Sequence, residues 1–222
     1  MIGRESPPYQ KSSATGMNMT GIIDYGAGNI KSLCNTLDAI GSARKLIRHP
    51  GDLDGIKAII FPGVGAFGDC ARHLENQGLI QPLKEWILQD RPFLGICIGF
   101  QMLFEGSDES PGSSGLGILS GQVVGFPDIQ GMKVPHMGWN HLDLKNAGDR
   151  AWDGLGSSPY FYFVHSFFPQ PLDKSIIAST TPYGHPFVSS VRRGRLLATQ
   201  FHPEKSQSAG SRLIQNFLGE AN

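Results

Sequence analysis

Apolar positions along this chain gather into short runs rather than one long periodic stretch. Gly21-Ile-Ile-Asp24, Ala58-Ile-Ile-Phe61 and Phe93-Leu-Gly-Ile96 have the continuous apolar character of strands covered on both faces. Each is followed by a glycine-bearing turn and then by apolar residues at helical spacing. After the first run, Asn29 is a good N-cap for a helix with Ile30, Leu33, Leu37 and Ile40 on one face. Strand, turn and helix in alternation predict parallel strands joined by crossover helices. Beyond Gly121 the pattern changes to alternating strands and turns through about Arg195, with Tyr160 to Phe168 the most aromatic stretch. That half reads as antiparallel or mixed. Ser208 to Leu218, with Leu213, Ile214, Phe217 and Leu218 on one face, predicts a closing helix. The fold class is α/β.

A chain of 222 residues can bury one sizeable core, and its 29 Gly and 15 Pro suit many turns between short elements. One domain over residues 20–222 is the economical reading. Residues 1–19 are polar, rich in Ser, Thr and Pro, and lack the apolar run of a signal peptide or membrane anchor, so they read as a disordered extension. Lys plus Arg and Asp plus Glu balance at 19 each, which leaves no summed field to attract nucleic acid or an anionic membrane. The three cysteines, Cys34, Cys70 and Cys97, are an odd count without metal-type spacing. No metal site and no disulfide framework are expected, and a reducing cytoplasm fits.

Gly95-Ile-Cys-Ile-Gly99 follows a strand and opens a helix, the context of a nucleophile elbow. Such a turn holds the nucleophile in a strained conformation, and glycines on either side avoid β-carbon clashes. The helix start beneath Cys97 favours a thiolate. A buried structural cysteine is the bland alternative, and a structural role is expected for Cys34 and Cys70. A nucleophilic cysteine needs a base. Thr199-Gln-Phe-His-Pro-Glu204 offers His202 with an orienting acid two residues on, and in an extended segment both would face the same way. Gly26-Ala-Gly28 has Lys31 where a dinucleotide fingerprint needs a third glycine, so no nucleotide cofactor is expected.

Gly95-Ile-Cys-Ile-Gly-Phe-Gln101, Gln200-Phe-His-Pro-Glu204 and Pro62-Gly-Val-Gly65 together resemble the class I glutamine amidotransferases. The resemblance covers nearly everything after residue 20. Asp24-Tyr-Gly-Ala-Gly-Asn29, Lys133-Val-Pro-His-Met-Gly-Trp-Asn140 and Tyr162-Phe-Val-His-Ser-Phe167 further resemble the glutaminase subunits of imidazole glycerol phosphate synthases, which serve histidine biosynthesis. Two positions depart from the usual pattern: Phe100 stands where methionine is commoner, and Phe167 where tyrosine is usual.

The resemblance implies a mixed, mostly parallel central sheet flanked by helices, with a nucleophile elbow. It implies a Cys97, His202, Glu204 triad that hydrolyses glutamine through a thioester without a cofactor. Its oxyanion donors would be the Val64 and Ile98 N–H groups. Gly63, Gln101, His165 and Ser166 would bind substrate, and Glu105, one turn beyond Gln101, could also face the pocket. Phe161 and Phe163 are expected to be packing residues. The implied partner is a cyclase with a (β/α)8 barrel, forming a heterodimer. Asn29, Lys133, His136 and Trp139 are candidates for its seam or for ammonia passage, the last three on a turn shaped by Pro135 and Gly138; a core role for Trp139 is the alternative. Another class I glutaminase, or a catalytically silent module on the same fold, would share parts of this pattern.

Overall fold

The computed structural model describes residues 19–26 and 30–221. Its first half comprises β1 (Met19–Ile23), α1 (Ile30–Ala39), β2 (Arg44–Ile47), β3 (Ile56–Phe61), α2 (Phe67–Asn76), α3 (Ile80–Leu88), β4 (Phe93–Ile96) and the single turn α4 (Ile98–Gln101). Then follow β5 (Gly106–Ser107), β6 (Gly121–Gly125), β7 (His136–His141), β8 (Asp143–Leu144), β9 (Tyr160–His165) and β10 (Phe167–Pro171). The chain closes with β11 (Ile177–Tyr183), β12 (His185–Arg193), β13 (Leu196–Thr199) and α5 (Gln207–Glu220).

Eight strands form the central sheet in the order β2-β1-β3-β4-β13-β12-β11-β8. From β2 to β13 every neighbour is parallel, and from β13 to β8 every neighbour is antiparallel. Alternate residues of the central strands feed opposite faces, which is why their sequences are continuously apolar. Ile23, Ile59 and Phe93 pack with Leu74, Leu83 and Trp86 of α2 and α3. Ile22, Ile60 and Leu94 pack on the other side with Leu33, Leu37, Leu213 and Phe217 of α1 and α5. A three-stranded sheet, β10-β6-β5, and the antiparallel pair β7-β9 complete the fold. Among the described residues no helix is long and apolar enough to cross a membrane.

The three apolar runs coincide with β1, β3 and β4, and the closing helix is α5. Met19 already belongs to β1; the rest of the expected extension and Asn29 lie outside the described residues. The helix after the third run is shorter than expected. The helix after β4 stops at Gln101, because the carbonyls of Met102, Leu103 and Phe104 accept from the Leu116, Ile118 and Gly117 N–H groups of a returning loop. Glu105 is therefore not one helical turn beyond Gln101. Its Oε2 accepts from the Gly121 N–H at 3.2 Å and its side chain does not line the cavity described next.

Candidate active site

A cavity of about 290 Å³ opens where β4 passes into α4, and Val64, Gly65, Cys97, Ile98, Gln101, Glu109, Pro135, Val164, His165, Ser166 and Phe167 form its wall. Cys97 sits at φ 54, ψ −104, in the left-handed region that a side-chain-bearing residue avoids without compensation. Its N–H donates to the Thr199 carbonyl at 2.7 Å, which ties the turn to β13. Gly99 supplies the room: a Cβ there would run into the Phe61 carbonyl, and one at Gly95 would press on the Gly99 backbone. Cys97 is only 7% exposed and borders the cavity.

His202 is fully buried and lies beyond the end of β13, at the entrance of a 3-10 turn spanning Pro203–Lys205. Its N–H donates to the Tyr162 carbonyl at 2.9 Å, and its carbonyl accepts from the Ser206 hydroxyl at 2.7 Å. The expected extended segment carrying both groups on one face is thus corrected. Pro203, with its fixed φ, starts the 3-10 turn, and that turn brings Glu204 back beneath the ring. His202 Nδ1 lies 2.7 Å from Glu204 Oε1. Burial opposes the charged imidazolium, but the neighbouring Cys97 sulfur and the Glu204 carboxylate push the His202 pKa up to about 10. The other ring nitrogen, Nε2, has no standing hydrogen bond of ordinary geometry among the described residues. It is available to exchange a proton with a group brought to the sulfur.

The loop Pro62-Gly-Val-Gly65 crosses the elbow closely enough that a Cβ on Gly63 would strike the Ile98 and Tyr25 side chains. Tyr25 donates from its hydroxyl to the Val64 carbonyl at 3.1 Å. Burial raises the phenol above its ordinary pKa, so it stays a neutral donor. Val64 and Ile98 both border the cavity, as oxyanion donors must. Burial likewise pushes the Cys70 thiol up, as expected of a core cysteine. Cys34 packs half-buried against the core from α1.

Gln101, His165 and Ser166 share the cavity wall. Phe167 lines it too, whereas Phe100 is buried in the core, edge-on to Phe104 at 5.6 Å. Of the two unusual positions, only Phe167 therefore touches the cavity. Phe161 and Phe163 are fully buried packing residues. His136 requires correction, because β7 is a strand rather than a turn and its alternation carries His136 inward. The ring is 3% exposed and stacks on Tyr183 at 4.0 Å and Phe163 at 4.8 Å. Lys133 is exposed. Trp139 is 48% exposed and edge-on to Tyr162 at 6.2 Å, so it is not a core residue.

Two more residues of this neighbourhood have no role assigned from the sequence: Glu109 stands in no motif, and Gln200 stands in one without a function of its own. Glu109 is a carboxylate on the cavity wall, oriented by the Phe67 N–H donating to its Oε2 at 2.8 Å. Gln200 donates to Cys97 Sγ at 3.6 Å. Only the folded chain brings either to the cysteine.

Burial holds the pKa of His136 down to about 4 and that of His165 down to about 3, from an ordinary 6.5. Lowered folded-state values mean that the unfolded chain takes up protons more readily. Stability from these neutral rings is therefore complete above pH 6.5 and is lost as the pH falls towards 4 and 3. We expect the melting temperature to fall with acidification over that window, as stability declines by at most about 1.4 kcal/mol per pH unit for each ring. Ring ¹⁵N resonances of both histidines should stay those of neutral imidazole while the chain is folded. Titration of either near pH 6.5 in the folded protein would contradict this.

The glutamine amidotransferase class-I family matches residues 21–221 of the chain. Over 199 residues the chain is 46% identical to a protein of Rhodopirellula baltica named imidazole glycerol phosphate synthase subunit HisH, covering 90% of this chain and 96% of that one. It is 45% identical to a protein of the same name from Desulfitobacterium hafniense, covering 90% and 93%. Among solved structures, one described as a glutamine amidotransferase superposes with a TM-score of 0.71 at 23% identity, covering 91% of this chain and 98% of that one. The structure of PurLQS from Thermotoga maritima superposes with a TM-score of 0.73 at 17% identity, covering 93% and 100%. At those identities the likeness is one of fold.

Proposed function

This chain belongs to the class I glutamine amidotransferase family, and on that premise we propose that it is the glutaminase subunit of an imidazole glycerol phosphate synthase. The observation that carries the assignment is 40–46% identity to subunits of that name over about nine-tenths of the chain. The reaction is hydrolysis of glutamine to glutamate and ammonia, the ammonia passing to a partner subunit. That partner is a cyclase with a (β/α)8 barrel, and the two form a heterodimer.

In the proposed mechanism Cys97 attacks the side-chain amide carbon of glutamine, and the negative charge on the carbonyl oxygen is met by the Ile98 and Val64 N–H groups. His202, positively charged beside the thiolate, gives its proton to the departing ammonia. A γ-glutamyl thioester remains. His202 then takes a proton from the attacking water, glutamate leaves, and Glu204 holds the ring and balances its charge throughout. The Glu109 carboxylate complements the α-ammonium group of glutamine. Gln101, His165 and Ser166 hold the rest of the amino acid, and Gly63 keeps the oxyanion loop against the elbow.

The exposed surface around Trp139 and Lys133 is the side we assign to the cyclase, since a half-exposed tryptophan suits an interface anchor. Glutaminase rate titrated with cyclase, with and without its ribotide ligand, tests the assignment. The free chain is expected to be nearly inactive, slower by about 100- to 1,000-fold if one oxyanion donor is misaligned, and the liganded complex active. Trp139→Ala should weaken the titration by about tenfold or more while the melting temperature of the free chain stays unchanged. Full activity of the free chain, or an unaltered titration curve for the variant, would contradict these assignments.

A further inference from the structure

Gln200 is fully buried and has no part in the mechanism above. Its backbone N–H donates to the Ser189 carbonyl at 2.8 Å, and its carboxamide lies between Gln101 and Cys97. Gln101 Nε2 donates to the Phe167 carbonyl at 3.0 Å and to Gln200 Oε1 at 3.2 Å, while Gln200 Nε2 donates to Cys97 Sγ at 3.6 Å. A backbone carbonyl only accepts, so the group that Gln101 turns to Phe167 is its NH2. That NH2 needs an acceptor on Gln200. The Gln200 oxygen must then face Gln101, which leaves its NH2 for the sulfur.

The same carbonyl continues the pattern in the other direction. His165 Nδ1 donates to it at 2.9 Å, so the neutral His165 ring can only accept at Nε2, and it does so from His136 Nδ1 at 3.1 Å. His136 Nε2 then accepts from Asn140 Nδ2 at 3.3 Å. Donors and acceptors alternate without conflict from β7 to the nucleophile. Gln101, His136, His165 and Gln200 are all buried, at 4%, 3%, 6% and 0% exposure, so no bulk water substitutes for a missing partner.

We propose that Gln200 is a further catalytic residue: its carboxamide N–H holds the Cys97 sulfur in the line of attack and stabilises its anion, and the hydrogen-bonded run through Gln101 and the two histidines locks that carboxamide in place. The proposal rests on Cys97 being the nucleophile. A neutral amide donor at a sulfur distance suits the role, because charge leaves the sulfur during attack and a stronger partner would oppose it. Reciprocally, a carboxamide held at both ends has lost its freedom to rotate before substrate arrives.

The test follows iodoacetamide alkylation at the Cys97 peptide by mass spectrometry across pH, in the full chain without glutamine, for the native protein, Gln200→Met and Gln200→Glu. In Gln200→Met the rate at pH 7 should fall roughly tenfold and the alkylation midpoint should rise by about one pH unit. Gln200→Glu should show larger changes of the same sign, since a like charge then faces the sulfur. In the cyclase complex kcat should fall with the alkylation rate while KM moves less than about twofold. Folded variants with native alkylation profiles would overturn the proposal. Because alkylation needs no glutamine, a native chain that alkylates as expected but never hydrolyses glutamine would refute the assigned function and leave the role of Gln200 standing. Should both variants fail to fold, the side-chain amide resonance of Gln200 in the native protein decides the matter. It must titrate with the midpoint of Cys97 alkylation, and an amide indifferent to pH overturns the proposal.

Discussion

Cys97→Ala should abolish glutamine-driven turnover while synthesis driven by added ammonia in the cyclase complex continues at the native rate. Removing the nucleophile of a working triad costs on the order of 10⁶ in rate, because no other group supplies the covalent step. The fold should tolerate the change. Alanine keeps the β-carbon that already occupies φ 54, and the N–H bond to Thr199 is a backbone one. Ammonia-driven synthesis should survive because the second half of the reaction is assigned to the partner. Both rates can be measured on one preparation, with melting temperature as the check on folding. Loss of both activities in an intact complex would refute the division of labour between the subunits, and residual glutaminase activity near the native level would remove Cys97 from the chemistry.

His202→Ala should be nearly as severe as loss of the nucleophile, and Glu204→Ala should be milder by about one to two orders of magnitude in kcat. His202 is the group placed to move protons, with Nε2 carrying no standing hydrogen bond among the described residues and Nδ1 committed to Glu204 at 2.7 Å. Glu204 acts only through the ring. Without its carboxylate the ring keeps its backbone anchors to Tyr162 and Ser206, so position is largely retained while support for the imidazolium is lost. His202→Ala has a second consequence, since it leaves the Glu204 carboxylate, 5% exposed, without its partner. Its melting temperature should therefore drop as well. Single-turnover formation of the thioester, compared among the three proteins, reads the chemical loss apart from binding. Equal losses, or a larger one for Glu204→Ala, would reverse the assigned roles.

Local pattern made the central architecture legible. Ile22, Ile60 and Leu94 on one face of the sheet, and Ile23, Ile59 and Phe93 on the other, follow directly from continuous apolar runs bounded by glycine turns. The elbow was equally plain, because Gly95 and Gly99 answer a demand for space that arises within a few residues of Cys97. Periodicity misleads beyond its local basis. The helix projected to Glu105 ends at Gln101 because a loop distant in sequence takes its carbonyls, and the turn expected to present His136 is a strand that buries it.

Short stretches of the chain suffice for the kind of chemistry: which residue can be a nucleophile, which can be its base, and that alternating strands and helices carry them. Those are properties of short segments, set by backbone sterics, side-chain period and side-chain reactivity. What surrounds the sulfur depends on the packed fold. Glu109 reaches the cavity from a loop after β5, Gln200 meets Cys97 across 103 positions of chain, and His136 meets His165 because β7 pairs with β9 in one particular register. Contacts of that kind depend on how elements dock. A polar residue's partner in a water-poor interior is whichever group the packed fold leaves opposite it, and no local preference encodes that choice.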